Sequence, residues 1–469
     1  MKLIYLIAYA VIMCLIAAWT FRKKFNPIYR SLWTLYAISA VFCVICKIYQ
    51  HTLVGSGIMQ TMWYDLTDTT LKAYILLVMC TIIAFEPLRE FDKDNQLAQF
   101  GKERKTKNFF VVYSVAYLSF AAIFILLSID NIWGAMNTSD YGELRASLAN
   151  GENEMSAELA TNAVANICYK LCFQFKYLSV FIAFGSLKEK TNKLLAAMVL
   201  IVTFFIVYIT NAVIAGRGSF MIFTFATFLI GLCFFKYFSK ADRRKVVIGG
   251  AVAAGLVLGY FFAVSMSRVA AVGIGNATSL LFGNLAFYMG HGPIEFSKIT
   301  GSLTDFAYGK TIIGRMISHY FGTSYSWETI ANQIGYPDIG PVYNTYLGYL
   351  YTDFGSLGCV LFTFGWAYLI YDIVKKRPRN ISTFFLFTYY LNYYATGTFV
   401  IGRLEYVRVV TTIIIFFLIR VIERSPELRR LFTIRIHVTA RTNSSTKNTS
   451  NLEVPNSTAL FHTDRMRKM

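Results

Sequence analysis

The chain has 469 residues, of which 56% are apolar and 17% aromatic, and its mean hydropathy is +0.48. A soluble protein of this length carries fewer apolar residues, so the composition indicates an integral membrane protein. The formal charge of +19 would suggest nucleic-acid binding in a soluble protein. Here Lys and Arg lie mostly in short connectors between apolar runs, where they set membrane topology, and nucleic acid is excluded as a partner.

Apolar stretches of about 17–25 residues, the length that crosses a bilayer as a helix, recur along the chain. They predict an all-α, polytopic membrane protein with about eleven transmembrane helices. The predicted spans are Leu3–Trp19, Leu32–Ile48, Thr69–Phe85, Asn108–Ser128, Thr161–Gly185, Leu194–Ile214, Ser219–Tyr237, Val246–Ser265, Gly355–Ile373, Ser382–Phe399 and Glu405–Ile422.

Basic residues occur in every second connector, and the connectors between them are neutral, acidic or long. By the positive-inside rule, this alternation puts the N-terminus outside the cytoplasm and the C-terminus inside. The chain divides into a polytopic transmembrane domain, residues 1–424, and a cytoplasmic tail, residues 425–469. The tail is basic and rich in Ser, Thr and Asn, a composition that predicts disorder.

The connector 266–350, between the eighth and ninth predicted spans, is about eighty-five residues long, far more than the joining of two helices requires. The topology places it outside the cytoplasm, and its length predicts a functional loop or a folded subdomain. Within it Ser279–Met289 is apolar. At about eleven residues this segment is too short to span, so it is predicted to be re-entrant or interfacial.

Cysteine and histidine give no sign of a metal or cofactor. All eight cysteines lie within or beside predicted spans, so no disulfide framework is expected. Cys43 and Cys46 have a redox-like spacing, but they are embedded in an apolar helix, where Cys behaves as a small hydrophobe. The five histidines form no metal-binding pattern, and no metal or cofactor is predicted.

Arginines in or beside the outer connectors are the most informative charges, because that side of a membrane is normally depleted of them. A guanidinium binds phosphate oxygens in pairs and stays charged when partly buried, so these residues predict an anionic partner. For some of them snorkelling to lipid headgroups, or a local ion pair with Glu405, is the alternative. They are Arg145, Arg217, Arg268, Arg315, Arg403 and Arg408.

Two segments carry a family resemblance. Ala215–Ser219 (AGRGS) and Asn344–Gly358 (NTYLGYLYTDFGSLG) resemble the Wzy-type oligosaccharide repeat-unit polymerases of O-antigen and capsule synthesis. The span count, the single large late outer loop and the basic tail agree with that family. The resemblance therefore covers most of the chain in architecture, but only these two segments in sequence.

The resemblance implies a multi-pass glycosyltransferase of the bacterial inner membrane that joins undecaprenyl-pyrophosphate-linked oligosaccharides on the extracytoplasmic face. Its implied partners are the lipid-linked substrate, the lipid bilayer, a chain-length regulator and a flippase. Two alternatives stay open. One is an O-antigen ligase, which has the same leaving group and transfers the chain to a lipid A core, and the other is a flippase or other transporter of the lipid-linked oligosaccharide.

Cleavage of a sugar–pyrophosphate bond develops negative charge on the leaving group, which fixed cations stabilise most in the transition state. Tyrosine rings stack on sugar faces, although an interfacial aromatic belt is the alternative explanation for tyrosines here. Lys170 and Lys176 fall in the middle of a span, where a charge usually faces a cavity or a partner. The predicted substrate-binding residues are Arg217, Arg268, Arg315, Arg403, Arg408, Tyr346 and Tyr351.

The acceptor is a sugar hydroxyl, which calls for a general base near the attacking oxygen. The predicted catalytic residues are His319, Asp353 and Glu405. A histidine titrates near neutral pH without perturbation. Asp353 has a structural alternative, because it also suits the cap of a helix or a ligand to a sugar hydroxyl.

The topology predicts opposite accessibility for two engineered cysteines. A cysteine at Ser302 should react with a membrane-impermeant thiol reagent in whole cells, and one at Asn192 should not. Labelling of the Asn192 variant but not the Ser302 variant would invert the orientation and place every predicted site residue in the wrong compartment.

Overall fold

The protein is helical throughout the part that the computed structural model describes, and no strand occurs there. The described residues are 2–48, 70–92, 96–102, 104–136, 162–213, 218–271, 277–314, 327–335, 345–375, 381–397 and 403–424. The helices are α1 Lys2–Arg22, α2 Pro27–Ile48, α3 Leu71–Arg89, α4 Gln96–Gln99, α5 Arg104–Leu127, α6 Ile129–Met136, α7 Ala163–Lys188, α8 Lys193–Val213, α9 Gly218–Phe235, α10 Lys240–Ala271, α11 Ala277–Ser302, α12 Trp327–Ile334, α13 Gly348–Lys375, α14 Ile381–Thr396 and α15 Arg403–Arg424. A π-helical turn spans Lys310–Gly314.

The prediction of an all-helical, membrane-embedded protein is confirmed. Within the described ranges, eight helices are long and apolar enough to cross a bilayer: α1, α2, α3, α5, α7, α8, α10 and α13. Each of the eleven predicted spans coincides with a helix. Eight of the spans coincide with the eight helices just named, and three coincide with α9, α14 and α15. The total of eleven crossings stays a prediction, since α9 and α14 have only 18 and 16 residues.

Short polar side chains fix where several helices begin. The carboxamide oxygen of Asn162 accepts a hydrogen bond from the Val164 N–H at 2.8 Å and caps α7. Asn26 does the same for the Ile28 N–H, and Pro27 occupies the first position of α2, where its missing N–H costs nothing. Caps of this kind satisfy backbone groups that the helix itself leaves unpaired.

Hydrogen bonds between polar side chains and backbone carbonyl groups mark one end of the bundle. The Asn26 amide donates to the Phe91 carbonyl oxygen at 2.7 Å, so α2 begins beside the point where α3 ends. Lys188, the last residue of α7, donates at 2.6–3.0 Å to the carbonyl oxygens of Leu97, Ala98 and Phe100. We call this the lower end, and the opposite end, where α2 ends and α3 begins, the upper end.

Asp92 and Lys236 join α3 to α9 at the lower end. The Lys236 Nζ lies 2.9 Å from the Asp92 Oδ2. The Asp92 carboxylate also accepts hydrogen bonds from the Tyr237 hydroxyl at 2.8 Å and from the Leu97 N–H at 2.8 Å. The Tyr237 hydroxyl donates its hydrogen bond to the Asp92 carboxylate, which also faces the Lys236 ammonium.

Helix α11 is longer than the sequence predicts. The apolar segment Ser279–Met289 lies within this helix, which continues through Gly290 and Pro293 to Ser302. Glycine and proline normally mark the end of a helix. Here Gly290 lies against α2 so closely that a Cβ at this position would meet the Phe42 carbonyl at 2.5 Å, and this tertiary contact supports the continued helix.

The described contacts of α11 with α2 and α3 lie in the upper half of those two helices. In the first half of α11, the Ala286 carbonyl oxygen accepts from the Cys46 thiol, two residues before α2 ends. Near its finish, the Thr300 hydroxyl lies 2.7 Å from that of Thr70, the residue that caps α3. Both stretches of α11 therefore sit at the same end of α2 and α3, as a re-entrant or interfacial segment would.

Helix α13 begins with a short arm, because the chain reverses at Gly355. This glycine has φ 65° and ψ −162°, which breaks the helix. The Cys359 thiol lies 3.7 Å from the Leu347 carbonyl oxygen, whereas twelve residues of continuous helix would separate them by about 18 Å. The arm Gly348–Phe354 and the longer arm that follows Gly355 therefore lie side by side.

The close approach at Gly290 gives a test of the packing. Gly290→Ala should lower the free energy of unfolding by about 1–3 kcal/mol, because the new methyl group meets α2 backbone that cannot move aside. The measurement is the thermal midpoint of the purified protein in detergent. Gly255→Ala in α10 is the control, since a Cβ there meets nothing within 4 Å, and it should not lower the midpoint. Equal midpoints for both variants would contradict the close approach.

Candidate functional site

The structure describes the side chains of four of the ten predicted site residues. His319, Arg217 and Arg315 lie outside the described residues, as does Arg145. Arg268 falls in the last turn of α10, and Arg403 and Glu405 fall in the first turn of α15. Only the backbone of these three is described. The four with described side chains are Arg408, Asp353, Tyr346 and Tyr351.

Arg408 and Lys176 meet at the ring of Phe173, between α7 and α15. The Lys176 Nζ lies 3.3 Å from the centroid of this ring, and the Arg408 Cζ lies 5.0 Å from the same centroid. The two charged centres are therefore at most 8.3 Å apart, the sum of those distances. A hydrogen bond of 3.1 Å from the Gln174 amide to the Thr412 hydroxyl joins the same two helices.

This pair of cations, which we call the cationic pair, lies between the middle and the upper end of the bundle: Lys176 is at the middle of α7, and Arg408 is near the start of α15. Lys176 precedes Lys188 at the lower end by twelve residues, which is about 18 Å of helix. Arg408 precedes Arg424 by sixteen residues, about 24 Å. Arg424 is also at the lower end, since Glu423 accepts from the Ser382 hydroxyl at 2.6 Å and the Phe384 ring lies 4.4 Å from that of Phe100. A hydrocarbon core is about 30 Å thick.

The structure separates the two mid-span lysines that the sequence puts together. Lys170 is exposed on the surface of the bundle, whereas Lys176 is 6% exposed. Lys176 is buried and Arg408 is partly buried. Two cations this close can contact one anionic group together, so the geometry suits an anionic group more than a neutral one.

Asp353 is fully buried and anchors the π-helical turn. Its two carboxylate oxygens accept hydrogen bonds from the Thr311 N–H at 3.0 Å and the Ile312 N–H at 3.1 Å. The backbone continues the attachment, since Ala307 N–H donates to the Thr352 carbonyl oxygen at 2.9 Å. With both oxygens engaged by backbone donors, this geometry suits an anchor rather than an open general base.

Tyr346 belongs to an interior cluster of aromatic residues. Its hydroxyl lies 3.1 Å from that of Thr81, and its N–H donates to the Gly397 carbonyl oxygen at 3.0 Å. The ring is fully buried and packs on those of Tyr36 and Tyr394. In this structure the ring is therefore covered by other tyrosines, and a sugar has no access to its faces.

Tyr351 is buried as well, but its hydroxyl points to a cation that the sequence reasoning missed. The Lys72 Nζ lies 3.4 Å from this hydroxyl, and Lys72 is a residue of the first turn of α3. The signal was present in the sequence: a lysine at the upper start of a span goes against the positive-inside pattern.

A second group of titratable side chains lies on α11. Glu295 has its carboxylate 3.8 Å from the His291 Nε2 and 3.9 Å from the Lys298 Nζ. Burial, with a smaller contribution from Lys298, lowers the pKa of His291 to about 3. The imidazole is therefore neutral at physiological pH, and Lys298 carries the positive charge of this group. Spacings of three and four residues place all three side chains on one helix face.

Metal ligation finds no support in the described ranges, where no group of three or more His, Cys, Asp or Glu side chains is placed to hold an ion. Comparison of the chain with family models, with curated proteins and with solved structures gives no match. The Wzy-type resemblance accordingly stays a prediction.

Substitution of Asp353 separates an anchor from a base. If Asp353 is an anchor, Asp353→Asn replaces one acceptor oxygen by an amide donor that faces a backbone N–H. The substitution should then lower the free energy of unfolding by about 1–3 kcal/mol. Asp305→Asn, at an exposed carboxylate on the same side, should change it little. The measurement is thermal unfolding in detergent. An unchanged midpoint for Asp353→Asn, accompanied by loss of turnover, would favour the base.

Proposed function

We propose that the protein is a membrane glycosyltransferase that polymerises undecaprenyl-pyrophosphate-linked oligosaccharide repeat units into O-antigen or capsular polysaccharide. It would act on the extracytoplasmic face of the bacterial inner membrane. The observation that carries the proposal is the cationic pair, Lys176 and Arg408, between α7 and α15. The short sequence resemblance at Ala215–Ser219 and Asn344–Gly358 supports it independently.

The reaction transfers the growing chain from one lipid carrier to the next repeat unit. A hydroxyl oxygen of the acceptor sugar attacks the anomeric carbon of the donor, and a new C–O bond forms. The bond between that carbon and the pyrophosphate oxygen breaks, the electron pair leaves with the lipid pyrophosphate, and the hydroxyl proton passes to a base. No oxidant, reductant or metal is needed to balance the step.

The cationic pair suits the leaving group. Negative charge grows on the pyrophosphate as the bond breaks, so cations held beside it bind the transition state more tightly than the ground state. Burial of Lys176 strengthens this effect, because charges interact more strongly away from water. Arg408 contributes a planar fork that contacts two phosphate oxygens together.

The remaining predicted residues have complementary roles in this proposal. Arg217, Arg268, Arg315 and Arg403 would hold phosphate groups of the two lipid-linked substrates. His319 and Glu405 remain the proposed bases, and Glu405 is one helical turn from Arg408 on α15. Asp353 would act by positioning, since its carboxylate holds the turn that directly precedes Arg315.

The test is an assay of the purified protein with a defined lipid-linked repeat unit. Wild type should yield a ladder of products. Arg408→Gln should lower the rate on the order of a hundredfold, as loss of one stabilising donor does. Arg408→Lys should be only partly active, because an ammonium cannot reproduce the paired contacts of a guanidinium. Lys176→Gln should be impaired like Arg408→Gln, and Lys170→Gln, an exposed lysine on the same helix, is the matched control with near-normal activity.

The outcomes distinguish the alternatives. Transfer only onto a lipid A core acceptor would make the protein a ligase. Movement of the lipid-linked oligosaccharide across a vesicle membrane with no chain growth would make it a transporter. A normal ladder from both Arg408→Gln and Lys176→Gln would remove the cationic pair from the mechanism.

A further inference from the structure

An apolar surface lies away from the cationic pair, on the outside of the bundle between α1 and α2. There a groove of about 430 Å³ runs between the two helices. Its floor is formed by small residues, Ala17 and Ala37, which are buried, and Ile38 and Val41 on its rim are 41% and 39% exposed. The groove is thus apolar and open to the surroundings of the bundle along its length.

The length of the groove matches one leaflet. It extends from Phe21 and Thr34 at its lower limit to Cys14 and Phe42 at its upper limit. Eight residues of helix, from Thr34 to Phe42, cover about 12 Å, close to half of a hydrocarbon core that is about 30 Å thick. An acyl chain that enters from the lower end would fill it.

A positively charged residue, Arg30, lies at the lower limit of the groove. Arg30 lies one turn before Thr34, whose hydroxyl donates to the Arg30 carbonyl oxygen at 2.8 Å. The guanidinium Cζ is 5.3 Å from the centroid of Phe21, the residue that closes the groove at this end. Among the described residues, the buried Nε of Arg30 has no hydrogen-bond partner. The exposed run Arg22–Lys24 adds further positive charge beside it.

We propose that this groove binds an anionic phospholipid of the leaflet at the lower end, with one acyl chain between α1 and α2 and the phosphate on Arg30. The shape of the groove selects an acyl chain, and the positive charge at its lower limit independently selects an anionic headgroup. A guanidinium contacts two phosphate oxygens together, so Arg30 suits the headgroup. The site is separate from the cationic pair, and it does not depend on the proposed function.

The experiment is native mass spectrometry of the full chain, purified in detergent and mixed with phosphatidylglycerol or phosphatidylcholine of identical acyl chains. Wild type should retain phosphatidylglycerol in preference. Arg30→Gln should reduce its retention about fivefold or more, the loss expected for one charge near a headgroup. Arg244→Gln, an exposed arginine at the same end, is the matched control for general electrostatic attraction and should retain the lipid as wild type does.

A second variant tests the groove and does not rely on the folding of Arg30→Gln. Ala18 is exposed and lines the groove, so Ala18→Trp should fill it and displace the lipid while Arg30 remains. Equal retention of the two lipids by wild type would overturn the proposal, as would retention by Ala18→Trp that matches wild type. A dimer that forms in place of lipid binding and is abolished by Ala18→Trp would also overturn it, since a second copy of the chain would then occupy the groove.

Discussion

In a bilayer every backbone N–H and C=O needs a partner within the protein, and this constraint governs the upper half of the bundle. Two segments there depend on neighbouring helices for such partners. In α11 the carbonyl oxygens of Met289 and Gly290 accept from Ser39 and Cys43 on α2. Beside the arm Gly348–Phe354, the Asp353 carboxylate takes up two amides of the π-helical turn. Irregular backbone at this depth persists because side chains from neighbouring segments satisfy it.

These segments are connected to the proposed chemistry through the helices around them. The π-helical turn that Asp353 holds also contacts α15, the helix that carries Arg408. Arg408 in turn meets Lys176 on α7 at the Phe173 ring. A change at Asp353 can therefore alter the position of an arginine without contact to substrate. The proposed site is thus a property of the packed helices and not of any single loop.

Hydrophobic runs were sufficient to predict the helices, since each long apolar stretch has to bury its backbone groups within itself. Local signals misled where tertiary contact decided the outcome. The sequence around Gly290 and Pro293 indicates a helix end, yet packing on α2 continues the helix. Tyr346 was predicted at a sugar site and lies among buried tyrosines. The proximity of Lys176 and Arg408 joins residues 232 positions apart, which no local pattern encodes.

The most direct test of the central claim is the binding of undecaprenyl pyrophosphate to the purified protein, measured at equilibrium beside undecaprenyl monophosphate. The cationic pair predicts tighter binding of the pyrophosphate, and loss of that preference when Lys176 and Arg408 are both replaced by glutamine. Equal affinity for the two lipids in wild type, or an unchanged preference in the double variant, would contradict the assignment of these residues to the pyrophosphate.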